Sequence, residues 1–326
     1  MKAMKQSICV AVAALSIGLG LSVSTPSYAR QDEASRLSQK ATVLFEAGKY
    51  AAAIPLAQRS LAIREKELGP DHEKVALSLN DLAVMHYNQG QYADAERLYK
   101  RSLAISEKAL GPDHAEVASS LNNLGELYRT QERYADAEPL LKRSIAIREK
   151  TAGADDPEIV PALSNLAAVY SQQNRYAEAE PVFKRALAVL EKTHGPSHPD
   201  TALVLSNLAD TYINQKRYTE AEPLLQRSLT IAEKLAPNPL NLAQALNTLA
   251  VLYLYQDRHA DAEPLLKRSL ATYEKALGPN HPELAGVLDN LAALYKAQDR
   301  KADAAPLFKR AMAIRAKAGT APGQKI

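Results

Sequence analysis

Histidine, carboxylate, serine and carboxamide side chains are the residues of this 326-residue chain that could do chemistry, and their spacing decides what they can do together. His72 and His114 stand beside Asp71 and Asp113, and His198 and His281 recur in matching phrases. Such groups serve as metal ligands, or as a base with its orienting acid, when they converge within a few ångströms. Here they return instead at intervals near 42 residues or twice that. Side chains related by such a repeat line up along a molecule, on the order of 10 Å apart, so no metal site is expected. No catalytic constellation passes the same test, and none of the candidate serines stands in a strained glycine-rich turn. Glycine-rich phosphate loops are absent. The single cysteine, Cys9, lies in the N-terminal apolar stretch, which leaves the rest of the chain without a thiolate for a metal, a disulfide or a nucleophile. Neither an enzyme nor a cofactor is expected.

Carboxamides point to a different chemistry. Asn80, Asn122, Ser164, Ser206, Asn247 and Asp289 form one repeating column, and Asp81, Asn123, Asn165, Asn207, Thr248 and Asn290 form the next. A carboxamide both donates and accepts, so a ladder of them can pair with the backbone of an extended peptide. Each bond is worth only about 1 kcal/mol net, so several must act together. The same amides can equally bond to the neighbouring repeat and fix its stacking. Flanking positions vary from repeat to repeat, as a surface that selects a partner would: Tyr87 and Asn88, Glu126 and Arg129, Gln172, Asp210 and Ile213, Leu254 and Tyr255. Tyr87 and Tyr255 are the candidate anchors among them.

The elements that carry these columns are legible in the repeat itself. Tyr50, Tyr92, Tyr134, Tyr176 and Tyr218 are each 42 residues apart, His259 follows after 41 and Lys301 after another 42. Seven units fit, starting near residues 33, 75, 117, 159, 201, 242 and 284, and the single deletion falls in the loop 235–241. In the second unit Leu79, Leu82, Ala83 and His86 form one apolar stripe of a first helix. Gly90 suits a left-handed cap at its end. A second helix is expected from about Ala93, with Ala95, Leu98, Tyr99, Ser102, Leu103 and Ile105 facing inward. Pro139, Pro181, Pro223, Pro264 and Pro306 are expected in the first turn of the matching second helices, where a missing amide hydrogen matters least. Gly111-Pro112 ends the second helix, and Asp113 or His114 is placed to cap the next one. One hairpin cannot bury its stripe alone, so each must stack on its neighbours. The tyrosines at 92, 134, 176 and 218 and those at 128, 170, 212, 253 and 295 then read as core. The Lys-Arg pairs ending in Arg101, Arg143, Arg185 and Arg268 read as an outward, solvated face. Lys40 and Lys301 replace apolar residues at the two ends, where water replaces a neighbour.

The phrase Leu121–Tyr128 (LNNLGELY), the run Arg133–Lys150 (RYADAEPLLKRSIAIREK) and the linker Gly111–His114 (GPDH) resemble the tetratricopeptide repeat in its long, kinesin-light-chain-like form. The usual period is 34 residues, and the extra eight lengthen the second helix and its linker. The resemblance covers the chain after residue 30 and implies an all-α, right-handed superhelical solenoid of seven helical hairpins, with first helices lining the concave side. It also implies a scaffold that binds a protein or peptide in that groove, with the two polar columns and Tyr87, Glu126, Arg129, Asp210 and Tyr255 as its lining. A spacer or platform that makes contacts through its convex face or ends is the alternative. Kinesin light chains take acidic peptides on a basic groove, but here Arg129 and Lys296 stand against Glu126, Asp210 and Asp289.

The start of the chain reads differently. Lys2 and Lys5 precede the apolar run Ile8–Leu21, and Ser27-Tyr28-Ala29 places small residues before a cut after Ala29. That run is short for a membrane span, which needs roughly 20 residues. Residues 1–29 are therefore expected to be a cleaved export signal, with a soluble mature chain in the periplasm of a Gram-negative bacterium or secreted from it. The 40 basic and 37 acidic residues leave it close to neutral once Lys2 and Lys5 are gone, which is no footprint for nucleic acid. The last residues, 319–326, have lost all periodicity and are expected to be a disordered tail.

Overall fold

The computed structural model describes residues 26–234 and 239–318. The expected tail, most of the expected export signal and four residues of the shortened loop lie outside that range. Fourteen α-helices and no strand occur among the described residues. First helices are α1 (Pro26–Glu46), α3 (Glu73–Asn88), α5 (Ala115–Thr130), α7 (Val160–Gln172), α9 (Pro199–Asn214), α11 (Pro239–Tyr255) and α13 (Leu284–Ala297). Second helices are α2 (Tyr50–Leu68), α4 (Tyr92–Leu110), α6 (Tyr134–Ala152), α8 (Tyr176–His194), α10 (Tyr218–Lys234), α12 (His259–Leu277) and α14 (Lys301–Ala318). A short 3-10 turn, Pro157–Ile159, leads into α7. No helix among the described residues is long and apolar enough to cross a membrane.

Each first helix packs on its own second helix, and each second helix packs on the next first helix. From α3 onward, successive first helices also come close backbone to backbone, whereas successive second helices lie further apart and meet through long side chains. A stack that is closer on one side than the other must curve, so the first helices line the inner face of a solenoid. The core follows the expected stripes: Leu79, Leu82, Ala83 and His86 are buried, as are Ala95, Leu98, Tyr99, Ser102 and Ile105, with Leu103 half-buried. Tyr128, Tyr170, Tyr212, Tyr253 and Tyr295 are buried, while Tyr92, Tyr134, Tyr176 and Tyr218 are half-buried at the core's edge. Within most hairpins a serine of the second helix donates to a carbonyl of the first, as Ser102 does to Ala76 (2.7 Å) and Ser144 to Ala118 (2.7 Å). A polar group is thereby satisfied inside the core.

Caps set the boundaries. His72, His114, His198 and His281 accept the amide hydrogen two residues on through Nδ1, which satisfies an orphan donor of the next first helix. Asp113 does not share that work; it pairs with Lys150. Gly90 has φ 74° at the end of α3, and Glu132, Asn174 and Lys216 hold the same left-handed corner in later repeats with φ near 60°. Two expectations need correction. The second helices begin at the tyrosine, so Pro139 and its counterparts sit in the second turn rather than the first. Pro139 thus deprives the carbonyl of Ala135 of its helical partner; Ala135 is exposed, so water can take its place. Ile213, expected on the groove, is buried.

Candidate functional site

The two polar columns meet across the hairpin boundary. Asn123 Nδ2 donates to Asn80 Oδ1 (2.9 Å), Asn165 Nδ2 to Asn122 Oδ1 (3.1 Å) and Asn290 Nδ2 to Asn247 Oδ1 (3.0 Å). Each bond joins one first helix to the next, 43 residues on. These amides are half-buried, and the bonds between them do what the stacking role requires. The ladder has a gap in the middle. Position 164 is serine, too short to reach, and the Asn207 side chain has no hydrogen-bond partner among the described residues. One hairpin further on, Ser206 turns to Ser228 Oγ (2.9 Å), and Thr248 bonds back to the Gln244 carbonyl (3.1 Å). The inner face therefore splits into a laced part on α3, α5 and α7 and an open part at the two boundaries of α9, with α7 and with α11; the lacing resumes from α11 to α13.

The laced part is organised around Tyr87. Its hydroxyl lies 2.8 Å from Thr130 Oγ1 and donates to Glu126 Oε1 (3.3 Å), and its ring packs tilted against Tyr92 at 5.7 Å. Burial pushes its phenol above the ordinary range. Arg129 is half-buried beside it, without an ion-pair partner among the described residues and with a buried, unpartnered Nε.

On the open part Tyr255 is 58% exposed and stacks on Tyr218 at 6.0 Å, while Leu203 is 54% exposed. Asp210 lies on the same face of α9 as Leu203, seven residues on. Its carboxylate has neither an ion pair nor a hydrogen bond among the described residues. Water reaches it, yet the protein around it removes enough solvent to push its acid constant up to about 6. Toward the start of the same helix a cavity of about 150 Å³ opens between α9, α10 and α11, lined chiefly by Leu203, Ile231, Ala232 and Ala245, with Ser206 and Gln244 among its polar members.

The outer face carries contacts that the column spacing did not disclose. Arg133 Nη1 donates to Glu96 (2.9 Å), the Tyr128 hydroxyl donates to the same carboxylate (3.0 Å), and the guanidinium lies over the Tyr128 ring at 4.0 Å. The set recurs at Arg175, Glu138 and Tyr170, at Arg217, Glu180 and Tyr212, at Arg258, Glu222 and Tyr253, and at Arg300, Glu263 and Tyr295. Hydrogen bonds from Arg175 hold the Glu138 carboxyl down to about 2, and those from Arg217 do the same for Glu180. The arginines read as a solvated face instead tie second helices together: Arg101 to Glu65 (2.6 Å), Arg143 to Glu107 (2.5 Å), Arg185 to Glu149 (2.6 Å) and Arg268 to Glu233 (2.6 Å). The acceptor glutamates recur at the same period as the arginines, so the signal was present. Their separations of 35 or 36 residues lie far beyond the third and fourth neighbours that face each other on one helix, and only the stacking brings them together.

The tetratricopeptide repeat profile matches residues 32–108, 76–150, 158–234 and 241–317. No curated relative matches the sequence. Solved structures with a similar course include a putative kinesin light chain from Podosopora anserina with nearly identical repeats, at 25% identity over 66% of this chain and 100% of that one, TM-score 0.51. Aspartyl phosphate phosphatase F from Bacillus subtilis is similar at 13% identity over 93% and 76%, TM-score 0.70. The Rap conjugation gene regulator of plasmid pLS20, solved with the Phr* peptide, is similar at 16% identity over 94% and 80%, TM-score 0.65. Identities this low speak for a shared fold. The profile covers nearly all of the described helices, with the repeat boundaries where the hairpins lie, and the chain belongs to the tetratricopeptide repeat family.

Proposed function

We propose that this chain is an exported, non-enzymatic scaffold that binds a peptide or a helix of another protein along its inner face. The observation that carries the reading is the contrast in side-chain commitment between the two faces. Outward arginines and lysines are engaged in ion pairs between hairpins, whereas Asn207 and Asp210 hold polar groups without partners beside exposed Leu203 and Tyr255. A surface that keeps unsatisfied donors, acceptors and apolar area in a concavity is suited to an extended ligand. The pLS20 regulator, solved with a peptide, is an analogy of fold in support. Asn80, Asn122, Asn123, Asn165 and Asn247 belong to the groove chiefly as its frame, since each has one amide group spent on a neighbour.

A pull-down from bacterial envelope extracts tests this. The chain should retain partners that a variant carrying Asn207→Ala, Asp210→Ala and Tyr255→Ala loses, with the helical circular-dichroism signal intact in both. Equal capture by both proteins would move the contacts elsewhere. One observation favours the ends in that case: Phe308 and Met312 on α14, the last of the described helices, are 37% and 61% exposed. Export is tested by the N-terminal sequence of the protein recovered from the periplasm, expected to begin at Arg30.

A further inference from the structure

The cavity between α9, α10 and α11 occupies a place that other hairpins fill. At the position of Ala232 the first, third and seventh repeats carry Arg64, Arg148 and Arg315. Arg64 reaches across to Ser78 Oγ (2.5 Å), Arg148 to Ser119 Oγ (2.9 Å), and Arg315 to Asp289. Around Ala232 these partners have changed as well: Leu203 stands where the third repeat has Ser119, Ala245 where the second has Ser78, and Ser206 where the seventh has Asp289. Losing one arginine would leave a polar gap open to water. Exchanging the arginine and its partners together leaves instead a largely apolar cavity of about 150 Å³ with Leu203 at its mouth. Apolar cavities of that order, about 150 Å³, take a benzene-sized group.

The charge nearby is one-sided. Asp210 lies two helical turns from Leu203, about 10 Å along the helix, and no cation pairs with it among the described residues. The inward arginine column is interrupted across these repeats, with Leu190, Ala232 and Tyr273 in its place. An unpaired carboxylate in a partly desolvated groove calls for a cation from outside.

We propose that this cavity is a specificity pocket for one leucine-, methionine- or phenylalanine-sized side chain of a peptide in the groove, with Asp210 receiving a lysine or arginine of that peptide two to four residues away. The inference rests on the groove reading and names its ligand: a peptide with an apolar anchor and a nearby positive charge. Two side chains some 10 Å apart are matched by about three residues of extended chain at ~3.3 Å each.

Selection of a phage-displayed random nonapeptide library on the purified chain, followed by fluorescence anisotropy with a selected peptide, tests it. The enriched peptides should share one large apolar residue and a lysine or arginine two to four positions away. Ala232→Arg restores the residue that three other repeats carry, so the helical signal and melting temperature should stay within the wild-type range. It should weaken binding at least tenfold, as should replacing the peptide's apolar residue by alanine, which is the scale of an anchor lost from a pocket. Leu203→Ser, the third repeat's residue, is the second variant should the arginine disturb folding. Changing the peptide's cation to glutamine should cost roughly tenfold in the wild type and little in Asp210→Asn, the signature of a charge pair. Peptides enriched without an apolar residue, acidic peptides, or an affinity indifferent to both pocket variants would overturn the pocket. Loss of such an affinity on Asn207→Ala with Tyr255→Ala would still leave the groove reading standing. Enrichment of no peptide would sink both. Self-association of the wild type that Ala232→Arg abolishes would assign the cavity to a second copy instead and overturn the peptide proposal.

Discussion

The hairpins built on α3, α5 and α7 and those built on α9 and α11 have nearly the same helices, but they use their inner faces differently. In the first set, carboxamides of adjacent hairpins bond to one another, and Tyr87 bridges to Thr130 and Glu126. At the two boundaries of α9, with α7 and with α11, Ser164 and Ser206 stand where asparagine would be and the amide bonds lapse, and in the second set an apolar cavity and an unpaired carboxylate appear. The outer faces show no such division, since the Arg-Glu-Tyr set continues through both. Stacking is therefore secured on the outside throughout. That leaves the inner face free to be part frame and part receptor, because a solenoid needs only enough contact per boundary to hold its neighbour.

The strongest way to break the comparison is to separate the two sets physically. Phe183 on α8 is fully buried at their junction. Phe183→Ala should cost about 3–5 kcal/mol and turn a single thermal transition into two, as seen by calorimetry. A single transition at lower temperature would show that the sets unfold as one body.

The outer clasps give the next effect. Glu138→Gln should cost about 1.5–3 kcal/mol, the range for hydrogen bonds to charged groups, by urea denaturation at pH 7. The pH dependence has a definite sign. Glu138 and Glu180 are held down to about 2 from an ordinary 4.5, so their contribution is complete above about 4.5 and is lost as pH falls from there through 2. Glu138→Gln should flatten part of that loss.

Smaller changes sharpen the division itself. Asn165→Ala should destabilise by about 1 kcal/mol through the orphaned Asn122 carbonyl. Ser164→Asn should stabilise by up to about 1 kcal/mol by giving Asn207 the partner it lacks. Equal and small effects at both sites would mean that the amide bonds do not distinguish the two sets. The smallest effect is at Asp210. Its raised acid constant means that stability falls as pH rises from about 3.8 to about 6 and stays level above. Asp210→Asn should remove that slope and raise stability at pH 7 by less than about 1 kcal/mol, since water still reaches the side chain.

Much of this molecule was legible without the fold. The 42-residue period, the apolar stripes of Leu79 to His86 and Ala95 to Ile105, the left-handed corner at Gly90 and the histidine caps depend on contacts within one hairpin, and local spacing reports those. The first helices that carry the candidate groove residues were legible for the same reason, although Ile213 is buried. What the columns do was not legible. Asn80 and Asn123, or Glu96 and Arg133, are neighbours only because hairpins stack in a fixed register, and separations of 43 and 37 residues carry no helical signature.

The sequence by itself determined the helices, their caps, their pairing and the number of hairpins, because each follows from propensity and periodicity over a few turns. Tertiary structure alone decided that Asn123 spends its amide on Asn80 and Asn165 on Asn122, that Arg101 and Arg143 clasp neighbouring helices, and that Ala232 faces a cavity lined in part by the helix that also carries an unpaired Asp210. Those outcomes depend on where the next hairpin lies, and that position is set by the summed packing of the whole stack.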